Sequence, residues 1–300
     1  GTSVTLYPMA DHGEDWPLIR SAIPGRVEVM RGHSHENLAD FLRSRRDYYD
    51  AILISRPHNM AGFLNATNKA APEFIGAAMP IYSAEAMFAV RTFSQRKLHG
   101  ELPSQEEAAR LIAEEVALTQ SADVIISVSE SERHEFERHG ARSVHVLGHA
   151  VVPTPTPRSF EERAGILFVG GIYTDDSPNA DSLRWFAREV WPLIQTALGG
   201  EVIFHIVGRN RAPSIHELAS DSIELVGSVE ELGPWYDKAR VVVAPTRYAA
   251  GIPMKAHTAA AYGTPLVSTT LIAEQLGWRS GFQLLAADDP AELRGQALVG

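Results

Sequence analysis

The chain of 300 residues reads as an α/β protein built from two doubly wound, Rossmann-like domains. Short apolar runs alternate with helix-periodic segments through both halves, which is the pattern of parallel sheets joined by right-handed crossovers. The length suits two domains of ordinary size. Between the halves, VVPTPTPRSFEER carries three prolines without periodicity and reads as a linker. The domains are expected at 1–152 and 165–300, with 153–164 between them.

In the first half SVTLYP is a strand, followed by a short helix over Glu14 to Ala22. VEVM is a strand, and HENLADFLRSRR a helix with Leu38, Phe41 and Leu42 on one face. AILIS is uniformly apolar, as expected for a strand buried on both faces of a parallel sheet. A further strand is expected over Glu73 to Ile81, then helices from Ala84 to His99 and from Ser104 to Gln120. Ser104 with Glu107 three residues on is a capping-box pattern. DVIISVS is a strand, Ser129 caps a helix that ends at Gly140, and SVHVLG is a strand.

The second half repeats the alternation. GILFVGG is a strand and Asn179 to Leu198 a long helix. EVIFHIVG, SIELVG, VVVAPT and PLVSTT are strands, separated by helices over SIHELA, Glu230 to Lys238 and Pro253 to Tyr262. Ile272 to Leu276 is a short helix. The halves share an architecture but no sequence repeat.

Composition narrows the function. Hydrophobic residues make up 45% and charged residues 21%, enough for buried cores. A formal charge of −10 argues against nucleic acid as partner, which needs a basic face. With no cysteine, disulfides, thiolate catalysis and Cys-based zinc sites are excluded. No apolar run is long enough to span a bilayer and no signal peptide opens the chain, so a cytoplasmic protein is the default expectation.

Ligands of open α/β sheets sit beyond the carboxyl ends of the strands. Gly170 and Gly171 after GILFV let backbone approach a ligand closely, and Arg209 follows the next strand. Arg247 follows VVVAPT. Gly251 and Ile252 lead into a helix opened by Pro253, with Lys255 in its first turn. Free amides at a helix amino end with two cations beside them suit a diphosphate. Gly and Pro also mark ordinary turns, and Arg and Lys are usually solvated. The helix terminus is what favours the phosphate reading.

Four segments carry a resemblance: GILFVGGIYTDDSPNADSLRWFAREVWPLI, FHIVGRN, SIELVGSVEELGPWYDKARVVVAPTRYAAGI and KAHTAAAYGTPLVSTTLIAEQLGW. In order and spacing they resemble the nucleotide-sugar domain of a bacterial branch of the retaining family 4 glycosyltransferases. IYSAEAMFAVRTFSQRKL and EEVALTQSADVIISVSESE resemble the acceptor domain more loosely. The resemblance implies the GT-B fold, two Rossmann-like domains facing a cleft. It also implies sugar transfer from a nucleotide diphosphate donor with retention. Lys255 matches a basic residue associated with donor phosphates, with Arg247 its neighbour, and Gly170-Gly171 match the loop facing the cleft. Arg209 and Asn210 lie where the base-binding side begins.

There are departures. Ala250 and Thr258 stand where two glutamates are typical, and Thr258 is the residue left to reach a ribose hydroxyl. An Arg–Lys pair common after the domain's first strand is replaced by Asp175, Asp176 and Asn179. The family's acceptor domain has a strand and Gly-rich loop ahead of the segment matching SVTLYP, so an open sheet edge or a missing half of the acceptor pocket is expected here. The chain also closes at ALVG, short of the helix that usually crosses back.

Other features weigh less. His33 and His35 suggest a metal only weakly, with Glu36 their one near partner. His149 falls at the hinge side of the expected cleft. Glu85, after a strand, is the weak candidate for a catalytic carboxylate, and equally a helix-start residue. The helix from Ala84 carries Arg91, Arg96 and Lys97 beside Met87, Phe88 and Phe93; a packed helix with a solvated basic edge is the plainer account, and peripheral contact with a lipid-linked acceptor the other. There is no P-loop, dinucleotide fingerprint or convincing triad. The expected activity is transfer from a nucleotide sugar to a carbohydrate or lipid-linked acceptor, with no metal or cofactor. A non-catalytic scaffold that kept the fold is the alternative.

Overall fold

The computed structural model describes residues 1–10, 16–68, 71–101 and 103–299. The chain divides into two compact units, one of residues 1–89 and 105–147, the other of residues 90–104 and 148–300. The segment 90–104, assigned from sequence to the first half, therefore packs with the second unit, as does the proline-rich stretch. Thr154 N and Thr156 N donate to the carbonyls of Ala261 and Tyr262, which ties that stretch along the second unit.

The first unit runs β1 (Val4–Leu6), α1 (Trp16–Ala22), β2 (Val27–Val29), α2 (Leu38–Ser44), β3 (Ala51–Ser55), α3 (Pro57–Ala66), α4 (Ala71–Ile75) and β4 (Met79–Ser83). It continues with α5 (Phe88–Leu98), which runs on into the second unit, α6 (Gln105–Leu118), β5 (Val124–Ser127), α7 (Glu130–Arg138) and β6 (Val144–Val146). Of the helix expected over Glu14 to Ala22, Glu14 and Asp15 lie outside the described residues. The strand expected over Glu73 to Ile81 is corrected: Ala71–Ile75 is helical and the strand is Met79–Ser83. Phe74 and Ile75 are buried from a helix, and a short apolar run does not by itself distinguish helix from strand. Helix α3 had no counterpart in the sequence reading. Pro57 opens it at the first turn, a position that tolerates a missing N–H.

All strand pairs of this unit are parallel, but they form two sheets, β1-β2 and β3-β4-β5-β6. Strands β1 and β3 are edges that are not bonded to each other, and Val4, Leu6 and Leu53 are exposed on them.

The second unit runs β7 (Ile166–Val169), α8 (Pro178–Trp185), α9 (Trp191–Leu198), β8 (Phe204–Val207), α10 (Pro213–His216), β9 (Ile223–Gly227) and α11 (Gly233–Lys238). Then follow β10 (Val241–Ala244), α12 (Met254–Tyr262), β11 (Leu266–Ser268), α13 (Thr270–Leu276), β12 (Leu285–Ala286) and α14 (Pro290–Val299). The long helix expected over Asn179 to Leu198 is interrupted by a π segment, Phe186–Val190. Pro192 lacks an N–H and crowds the carbonyl a turn earlier, so the ladder widens there.

The sheet order is β12-β11-β10-β7-β8-β9, all parallel. Ile166 and Phe168 of β7, with Val241 and Val243 of β10, face one core against α8, α9 and α14. Leu167, Val242 and Ala244 face the other, against α11, α12 and α13. Burial on both faces is why these strands read as unbroken apolar runs. The chain winds outward from β7 in one direction and from β10 in the other. The order therefore switches between β7 and β10, which opens a crevice at their carboxyl ends.

Candidate functional site

The crevice at that switch holds a cavity of about 400 Å³, lined among others by Gly170, Asn179, Ala250, Ile252, Lys255 and Thr258. At Gly170 a Cβ would stand 2.9 Å from Asn179 Nδ2, so that side chain would have to give way. Gly208, at the end of β8 with φ +140°, is required, since a Cβ would meet the Gly170 carbonyl oxygen at 2.2 Å. Main chain lies directly on main chain at this point.

Lys255 sits in the first turn of α12, whose amino end has no side-chain cap. Its Nζ donates to Asn179 Oδ1 at 2.7 Å and lies 4.2 Å from the centre of the Phe168 ring. Burial pushes its pKa down to about 7, and no charged neighbour contributes to the shift. Asn179 Nδ2 in turn donates to the Gly171 carbonyl at 2.8 Å. The amide thus bridges the loop after β7 and the cation on α12, and the two bonds fix which of its atoms faces which partner.

Arg247 is the second expected cation, and the structure engages it otherwise. Its Nε and Nη2 bond Asp181 Oδ2 and Oδ1 at 3.0 and 2.5 Å, and its guanidinium lies 5.5 Å from the centre of the Trp185 ring. Asp181 is 5% exposed, and the pair is a two-pronged bond whose carboxylate side is buried while Arg247 keeps part of its surface in water. Arg247 follows β10 as expected, with its charge already balanced.

The remaining candidates divide. Gly251 is buried with φ +80°, a conformation glycine adopts readily, and it leads with Ile252 into α12. Thr258 lines the cavity, but its hydroxyl donates to the Met254 carbonyl one turn back at 2.9 Å. Arg209 stands at the end of β8, where its carbonyl accepts from Ile172 N. His149 packs edge-on against His257 of α12, with ring centres 5.6 Å apart. Burial and the neighbouring His149 hold His257 below the usual imidazole range. Glu85 belongs to the first unit. Its carboxylate accepts from Ser55 Oγ at 2.6 Å and Arg56 Nε at 2.7 Å. Burial raises its pKa, but those two bonds and the nearby charges outweigh it and hold the carboxyl below its ordinary value. Glu85 (φ +53°) and Arg56 (φ +75°) both hold left-handed backbone at the carboxyl ends of neighbouring strands.

Asn179 and Asp181, which hold the two cations, were not singled out from sequence as partners. Both lie in the first turn of α8 behind the Ser177 cap and Pro178. The available signal was two polar residues two apart at a helix start that follows a glycine loop. Asp175 accepts from Ser214 N and Oγ at 3.1 and 2.5 Å, so it secures the loop to α10. A second cavity, about 520 Å³, lies in the first unit beside α1 and β2. The Arg20 guanidinium there is taken up by the carbonyls of Gly25 and Val27. Among the described residues no helix is long and apolar enough to cross a membrane.

Residues 163–298 match the family model described as Glycosyl transferases group 1. No curated protein matches the sequence. Among solved structures, HepE from Anabaena in complex with UDP and glucose aligns at TM-score 0.67 and 14% identity, over 98% of this chain and 81% of that one. TarM from S. aureus, bound to UDP and α-GlcNAc-glycerol, aligns at TM-score 0.60 and 11% identity, over 87% of this chain and 50% of its own. The α,α-trehalose 6-phosphate synthase from Burkholderia multivorans aligns at TM-score 0.60 and 15% identity, over 88% of this chain and 65% of its own. The chain thus spans half the length of TarM and most of HepE. The fold class is α/β with parallel sheets in two Rossmann-like units, as in the GT-B glycosyltransferases, and the family match falls on the unit that holds the Lys255 cavity.

Proposed function

We propose that the chain is a retaining glycosyltransferase of the family 4 type that takes a nucleotide diphosphate sugar in the cavity of the second unit. The observation that carries this reading is Lys255: a part-buried ammonium at the uncapped amino end of α12, with an amide for a partner instead of a carboxylate. The match to Glycosyl transferases group 1 over residues 163–298 and the nucleotide sugar in HepE support it.

In transfer with retention the acceptor hydroxyl attacks the anomeric carbon on the face the diphosphate leaves. The carbon–oxygen bond to phosphate breaks, and the hydroxyl proton passes to the departing phosphate oxygen. No protein nucleophile is needed. Charge grows on the leaving diphosphate, and Lys255 with the amides at the start of α12 meets it. Arg247, neutralised by Asp181, ties the segment after β10 to α8. This reading requires no metal or cofactor. The acceptor is a carbohydrate or a lipid-linked sugar, reached by a cytoplasmic protein with peripheral membrane contact, in synthesis of a polysaccharide or glycoconjugate.

A melting-temperature panel with UDP-, GDP-, ADP- and TDP-sugars identifies the donor, since a ligand of the native state raises its melting point. Lys255→Ala is expected to weaken binding of the nucleoside diphosphate at least tenfold and of the nucleoside by less than twofold. Equal loss of both sinks the reading. Transfer or donor hydrolysis by the intact chain separates an enzyme from a binding protein.

A further inference from the structure

Helix α8 meets two cations in two ways. Asp181 closes on Arg247 with a carboxylate, and Asn179, two residues earlier, meets Lys255 with an amide. The first arrangement cancels a charge. The second holds a cation in place and cancels nothing. The same amide is anchored on its other side by the Gly171 carbonyl, and Gly170 leaves the room it occupies.

Given the donor reading above, on which this rests, we propose that Asn179 is a positioning residue for donor binding. It fixes the Lys255 ammonium against the Gly170–Gly171 loop through an uncharged partner, so that the cation's charge remains for the diphosphate. Among the described residues, the elements that meet Lys255 offer no competing charge. Strand β7 presents the Phe168 ring. On α8, Asp181 is closed on Arg247, and Arg184 is bonded to the Asp175 carbonyl and Ser214 Oγ. On α12 the nearest titratable group is His257, which burial disfavours in its charged form. A carboxylate at position 179 would pair with the ammonium as Asp181 pairs with Arg247, and the ligand would have to break that pair.

The test compares Asn179→Asp and Asn179→Ala with the unaltered chain. Calorimetry follows UDP-glucose and uridine from pH 6 to pH 8, and ligand-free melting points check folding. The unaltered chain should lose UDP-glucose affinity about tenfold across that range, because its lysine deprotonates near pH 7. In Asn179→Asp the paired ammonium stays protonated, so the profile should flatten to less than about threefold. Affinity for UDP-glucose at pH 6 should fall at least about tenfold, with uridine within about twofold. In Asn179→Ala, UDP-glucose should weaken at least about threefold with the pH dependence kept, a result that stands alone if the aspartate variant does not fold.

Either variant matching the unaltered chain overturns the proposal. So does equal weakening of UDP-glucose and uridine with an unmoved profile, the outcome of a merely structural role. Failure of the unaltered chain to bind any nucleotide diphosphate overturns the donor reading itself, and this inference with it.

Discussion

Donor binding should draw a proton from solution, and the size of the effect follows from the position of Lys255. In the empty cavity burial holds this lysine near pH 7. A diphosphate in contact with the ammonium favours the charged form, which returns the group toward its ordinary range near 10. Binding above pH 7 is therefore coupled to protonation. At pH 6 about nine lysines in ten are charged, and at pH 8 about one in ten, so apparent affinity should fall about tenfold between them. At pH 8 about 0.9 protons should be taken up per ligand bound. UDP-glucose suits the measurement because its phosphates have no ionisation in this range. Calorimetry at pH 8 in two buffers of different ionisation enthalpy gives the proton count directly. An uptake below about 0.2, or affinity flat from pH 6 to pH 8, refutes the reasoning: Lys255 would then be charged before the ligand arrives. The same shift has a consequence for the empty protein. The folded pKa lies below the unfolded one, so the unfolded chain binds more protons between pH 7 and pH 10.5, and this group's contribution to stability rises with pH through that window.

Arg247→Met leaves Asp181 buried without its cation and should cost about 3 kcal/mol in urea unfolding, while Arg247→Met with Asp181→Leu should recover most of it. A double variant as unstable as the single one contradicts this account of the pair. Gly208→Ala drives a Cβ onto the Gly170 carbonyl and should lower the melting point by more than about 5 °C, with loss of donor binding in whatever remains folded. An unchanged melting curve would mean that β7 and β8 part at no cost. Tyr236 is fully buried and its hydroxyl has no partner among the described residues. Tyr236→Phe should accordingly be neutral or stabilising by up to about 1 kcal/mol, and a loss above that amount would reveal a hydroxyl contact.

Much of the second unit was legible because its physics is local. Val241 to Ala244 are apolar without alternation, and their run of β-branched valines favours a strand covered on both faces. Gly251, Ile252 and Pro253 mark a helix start, and Lys255 follows from its place in the first turn. The first unit was less legible. Glu73 to Ile81 divides between α4 and β4, and α3 went unread, since short apolar stretches carry no decisive period. The left-handed backbone of Arg56 and Glu85 left no trace in residue type, because neither residue prefers it.

The sequence by itself determined the α/β class, the alternation of strand and helix, and the cation at the amino end of α12, since each depends on residues near one another in the chain. Tertiary structure decided which cation stays available. Asn179 lies 76 positions from Lys255, and Asp181 lies 66 from Arg247. Only the parallel pairing of β7 with β10 brings α8 over both cations. A charge partner is chosen by distance in space, and no periodicity or spacing along the chain encodes that distance.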